Sequence, residues 1–126
     1  MSISFDQPDA LRQLENLDDA AIDCLDFGVI GIDKDCLVRR YNAYESRAAA
    51  LAPAKTLGHD FFTTVAQCMN NYLVAQRFAD ALANGTPLDA TIEYMLTWRM
   101  LPTKAELRLL SAPEYQTRYV LLRRLT

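Results

Sequence analysis

The sequence predicts an α+β domain built on a five-stranded antiparallel sheet, with helices across one face and a helical cap at the N-terminus. Three observations carry that expectation. Ala90, Ile92, Tyr94, Leu96, Trp98 and Met100 are apolar at every second position, the mark of a long half-buried strand. The other strand-like runs are neighbours in sequence joined by short connections, which implies antiparallel pairing. The helical segments fall between the second and third strands, so they cross one face of the sheet and share a core with it.

Each element has its own warrant. Residues 1–25 read as the cap and 26–126 as the core. Asp6 is expected to cap a first helix with Pro8 in its first turn, and Leu11, Leu14 and Leu17 follow at helical spacing, a narrow apolar stripe. Asp18 is expected to cap a short helix over residues 20–24. Phe27 to Ile32 and Leu37 to Tyr41 read as a hairpin around 33–36, although its turn lacks the usual glycine. Asn42 is placed to cap a helix over 42–51, ended by Pro53, and Gly58 marks a turn before Phe61 and Phe62. Residues 72–84 carry Val74, Phe78, Ala81 and Leu82 on one helical face, with Gly85 where a terminating glycine belongs. Lys104 to Leu110 and Thr117 to Leu125 supply the last two strands, with Pro113 between them.

Composition narrows the function. A length of 126 residues fits one domain, and 51% hydrophobic with 23% charged residues is ordinary globular composition. A net charge of −3 without a Lys/Arg stripe argues against nucleic acid as a partner. Arg123 and Arg124, the nearest thing to a basic cluster, read as a solvated strand end. No run approaches a membrane span, and the N-terminal region has acidic residues instead of a basic segment followed by an apolar one, so neither a membrane nor a signal peptide is expected. Cys24, Cys36 and Cys68 form an odd set without CxxC spacing, which points to a reducing cytoplasm and away from disulfides or zinc. His59 is the single histidine; nothing orients it towards Cys68, and there is no glycine-rich phosphate loop. An enzyme is not expected, nor a metal site.

Three residues stand out chemically. Cys68 lies in a connector after the apolar run 61–66, where a thiol is more available than inside a strand; the alternative is a small buried hydrophobe. Tyr41 ends a strand and Glu45 opens the next helix, so the two converge beside the sheet. A tyrosine hydroxyl and a protonated glutamic acid could together hold a buried anion such as a phenolate. The alternative is a Glu45 that serves its helix N-terminus from the surface.

In register with these residues are Asp18-Asp19, Leu25-Asp26-Phe27-Gly28, Tyr41-Asn42-Ala43 with Glu45, Gly58, Phe61-Phe62, and Val65-Ala66-Gln67-Cys68. Phe78, Gly85, Glu93-Tyr94, Met100 and Pro102-Thr103-Lys104 continue the series. On these pieces, colinear over nearly the whole chain, the sequence resembles the photoactive yellow protein family, and so implies a PAS fold. The resemblance implies a blue-light photoreceptor whose p-coumaric acid (4-hydroxycinnamic acid) is thioester-linked to Cys68. Tyr41 and a protonated Glu45 would hold its phenolate, and the Cys68 backbone N–H its carbonyl. Ile30, Phe61, Val65, Ala66, Leu96, Trp98 and Met100 would wall the pocket. It further implies light-driven isomerisation, proton transfer from Glu45 and release of the N-terminal cap as the signal.

The chain departs from the family pattern at four places: Ala49 for a Thr that supports the Tyr, Leu51 for an Arg over the pocket mouth, Gln67 for a Pro, and Trp98 for a Tyr. Ala49 and Leu51 motivate the alternative, a non-photoactive PAS sensor or protein-interaction module that binds another small ligand. The expected partner is a separate downstream signalling protein, met by a monomer or a weak homodimer.

Overall fold

The computed structural model describes residues 3–97 and 102–125. Helices α1 (Ala10–Asn16) and α2 (Asp19–Asp23) lead into strands β1 (Gly28–Ile32) and β2 (Val38–Tyr41). Helix α3 (Ala43–Ala49), three short helical turns (Pro53–Lys55, Phe61–Val65, Gln67–Met69) and α4 (Ala75–Asn84) follow. Strands β3 (Leu88–Leu96), β4 (Thr103–Ser111) and β5 (Arg118–Arg124) close the chain. All neighbours in the sheet are antiparallel, in the order β2-β1-β5-β4-β3. The sheet and its crossing helices are those the sequence predicts.

The hairpin manages without its glycine. Cys36 takes the left-handed conformation (φ 66°), while Asp33 Oδ1 accepts from the N–H groups of Asp35 (2.9 Å) and Leu37 (3.0 Å) and shapes the turn from within. Asp18 caps α2 through Ala21 N–H, and Asn42 caps α3 through Glu45 N–H. In β3 the outward residues are the more exposed ones at every step, with Met95 on the outer side.

Four details differ from expectation. The first helix begins at Ala10, after an Asp9 that makes no side-chain cap; Asp6 instead pairs with Arg123 across the sheet. Helix α3 already ends at Ala50, in left-handed conformation (φ 54°), so Pro53 opens the following turn instead of stopping the helix. Helix α4 starts at Ala75, because Asn71 Oδ1 takes the N–H groups of Leu73 and Val74 in the preceding turn. Val74, just before it, and Phe78 and Ala81 on it are buried, but Leu82 is 52% exposed.

The largest difference is a second core. Alternate residues of the central strands divide between two clusters. Ile30, Ile32, Leu107, Leu109, Val120 and Leu122 face the crossing helices. Val29, Leu110, Tyr119 and Leu121 face the cap, with Phe5, Leu14, Ile22 and Phe27. The cap is more than a narrow stripe because Phe5 and Phe27 meet edge to face at 5.9 Å. Arginines pin it as well. Arg108 Nη1 donates to the carbonyls of Phe5 and Gln7, and Arg40 donates to those of Leu14 and Leu17.

Candidate functional site

Cys68 sits in the short turn Gln67–Met69, half-buried at the margin of the helix-side core. That core includes Ile30, Tyr41, Phe61, Ala66 and Leu96, with Val65 packed at its edge. Of the residues expected to line the site, Trp98 and Met100 lie outside the described residues; the other eight are placed on this side of the sheet or, for Glu45, at its border. The turn is held by side-chain hydrogen bonds. The Cys68 carbonyl accepts from Tyr94 Oη on β3 and from Asn71 Nδ2 (3.1 Å), and Asn71 Nδ2 also reaches Tyr94 Oη at 2.6 Å. Burial pushes the Tyr94 hydroxyl up, with Asn71 opposing.

Tyr41 ends β2 opposite Ile30, which turns its ring into the core. Its hydroxyl is buried and has no hydrogen-bond partner. Burial raises the pKa of this hydroxyl, the charge of Glu45 raises it further, and Arg124 opposes both. An orphan donor in an apolar core is costly and therefore informative.

Glu45 is in the first turn of α3 and is fully buried. The expectation was a protonated donor; here both carboxylate oxygens accept from Arg124, Oε1 from Nη1 at 2.8 Å and Oε2 from Nη2 at 3.0 Å. Burial raises the Glu45 pKa, and the Arg124 pair opposes that shift. Arg124, expected as part of a solvated strand end, has a side chain only 14% exposed. Gly28 makes room for this pair, since a Cβ there would lie 2.3 Å from Glu45 Oε1.

Sequence reasoning treated Asn42 only as a cap, yet it is the joint of the site. Its Oδ1 accepts from Val29 N–H (3.0 Å) and Glu45 N–H (3.1 Å). Its Nδ2 donates to the carbonyls of Ile22 (3.1 Å) and Phe27 (3.0 Å). With all four bonds made, it ties cap, β1 and α3 to the residue that positions Glu45. Arg124, Asn71 and Tyr94 were also missed as site residues; the in-register Glu93-Tyr94 pair was the one hint of them in the chain.

The chemistry available is therefore a thiol at the core margin, a partnerless phenol donor and a buried carboxylate paired with Arg124. Among the described residues no group of three or more His, Cys, Asp or Glu could hold a metal ion. No helix among them is long and apolar enough to cross a membrane.

No family model matches the chain. Among characterised relatives, photoactive yellow protein of Rhodothalassium salexigens is 31% identical over 122 residues, 97% of each chain. That of Halochromatium salexigens is 30% identical over 123 residues, 98% of each. The photoactive yellow protein domain of the sensor histidine kinase Ppr from Rhodospirillum centenum superposes with a TM-score of 0.81 at 29% identity, over 89% of this chain and 97% of that one. The LOV protein of Rhodobacter sphaeroides shares the fold, with a TM-score of 0.63 at 18% identity, over 91% of this chain and 68% of that one.

Proposed function

Because this chain belongs to the photoactive yellow protein family, we propose that it is a blue-light photoreceptor and signalling domain whose p-coumaroyl group is thioester-linked to Cys68. The photoreceptor-type PAS domain rests on the relatives. The observation that supports the finer reading is the buried, partnerless hydroxyl of Tyr41 in the core that Cys68 borders. A phenolate is the acceptor this donor lacks, so the residues present fit such a group. When bound, the group supplies visible absorption and a double bond that light isomerises.

The chain's own residues do the rest. Cys68 anchors by its thiol, and its turn is fixed by Asn71 and Tyr94. Phe61, Ala66 and Leu96 exclude water. Tyr41 donates a hydrogen bond. Glu45 holds a proton when Arg124 is withdrawn, since burial then acts unopposed, and gives it up when Arg124 returns. Arg124 is thus the counter-ion that selects the charge state of Glu45.

Strand β5 carries this change towards the cap. Its Arg124 faces Glu45, its Tyr119 donates to Glu15 (2.9 Å), and its Arg123 lies over the Phe5 ring at 4.4 Å. A shift of β5 that moves Arg124 therefore strains the contacts that hold the cap, and loosening of the cap is the proposed signal to a separate partner protein. We place the protein in the cytoplasm, on its three free cysteines, as a monomer or weak dimer.

The second reading, a PAS module for another small ligand, is favoured by the Glu45–Arg124 pair itself, which satisfies Glu45 without a chromophore. Reconstitution separates them. The protein is mixed with activated p-coumaric acid and its intact mass measured, with Cys68→Ala as control. A single adduct lost in the control supports the pigment; an unmodified, folded wild type supports the second reading.

A further inference from the structure

Arg118 opens β5 and is only 4% exposed. Its Nη2 donates to the Asp33 carbonyl at 2.7 Å and lies 3.4 Å from Cys36 Sγ. Its guanidinium carbon stands 5.4 Å from the centroid of the Phe78 ring. Arg40, Arg108, Arg123 and Arg124 each meet a carboxylate. Arg118 meets none among the described residues, and its buried Nε has no hydrogen-bond partner. A buried guanidinium without a counter-charge is expensive, and a ring face offsets only part of that.

Two cavities, of about 200 and 360 Å³, meet on this residue, and Lys34 and Leu82 line both. Two positive charges therefore border one space. Of the two cavities, only the larger is also lined by a carboxylate, that of Asp60. The α4 carbonyls of Ala81 and Leu82 accept from Thr86 and Gly85 N–H. Asp60, on the larger cavity, accepts through Oδ1 from Phe62 and Thr63 N–H. The smaller cavity adds apolar walls from Pro113 and Tyr115.

We propose that the space beside Arg118 is a binding site for a small organic carboxylate with an aromatic or short aliphatic body. The carboxylate meets Arg118 and Lys34, and the body packs against Leu82 and Tyr115. The smaller cavity has the size class of engineered cavities of roughly 150 Å³ that take benzene. None of Cys68, Tyr41, Glu45 or Phe61 lines either cavity, so the site is separate from the proposed pigment site. Its occupant bridges the β1–β2 turn, α4 and the β4–β5 connection.

Calorimetric titration of the full chain with benzoate, butyrate and inorganic phosphate in low-chloride buffer tests this. Benzoate should bind saturably, and Arg118→Met should weaken it by about tenfold or more, the loss of a charge-assisted bond. Arg118→Met removes an unpaired buried charge at similar volume, so it is expected to fold. Leu82→Glu is a second variant at an exposed position; its added negative charge should weaken benzoate to a similar degree. No saturable benzoate binding, or binding unchanged in both variants, overturns the proposal. Phosphate binding as tightly as benzoate overturns it too, because the site would then read charge alone.

Discussion

Arg124 Nη1 and Nη2 donate to the two oxygens of Glu45 at 2.8 and 3.0 Å, joining a fully buried carboxylate on α3 to a residue 79 positions later on β5. The pair joins α3 to the C-terminal end of the central strand, where the proposed pigment site meets the strand that also holds the cap. Its removal has consequences that reach beyond the site.

Arg124→Ala leaves Glu45 buried without its counter-charge. A loss of about 3–5 kcal/mol is expected at neutral pH. The folded-state pKa of Glu45 is already raised by burial, and without Arg124 it rises further. For an acid with a raised folded pKa, stability is full below the unfolded pKa and falls as pH rises through the folded one. Urea denaturation between pH 5 and pH 8 should therefore show the variant losing more stability than the wild type as pH rises. Parallel profiles would contradict the pairing.

Gly28→Ala places a methyl group 2.3 Å from Glu45 Oε1. Overpacking of this kind costs about 1–3 kcal/mol. Combining it with Glu45→Ala should relieve most of that penalty, so the double variant should be more stable than the sum of the single effects implies. Additive denaturation energies would mean that Gly28 meets something other than Glu45.

Tyr41→Phe separates stability from pigment binding. The hydroxyl lacks a partner in the chain, so its removal should leave denaturation within about 0.5 kcal/mol of wild type, or improve it. In protein reconstituted with p-coumaric acid, the same variant should shift the visible band, because a donor to the phenolate is gone. Glu45→Gln should shift it to the red. A large loss of stability in Tyr41→Phe, or an unmoved band in both variants, would count against this arrangement.

What could be read in the sequence was local. The alternation along β3, the caps at Asp18 and Asn42 and the glycine after α4 each follow from neighbours a few residues apart, and the structure keeps them. Cys68, Tyr41 and Glu45 stand out in the sequence because their types and positions fall in register with a family pattern. Contacts set by tertiary approach were not legible. Nothing near Arg124 says that its side chain folds back onto α3, and Asp6 reads as a helix cap until Arg123 is brought to it by the sheet. Likewise, the second core depends on which face each residue of β1 and β5 presents. An unbroken apolar strand such as 28–32 does not say that both its faces are covered, or by what. Leu82 carries the helical pattern but overhangs the cavities beside Arg118, where no neighbour covers it.

The most direct test of photoreception is illumination of the reconstituted protein. Blue light should bleach the visible band, which should recover in the dark, and the bleached state should show faster proteolysis in residues 3–25. A stable adduct on Cys68 whose band neither bleaches nor recovers would contradict the account, and would leave the chain a PAS module that binds the pigment without responding to light.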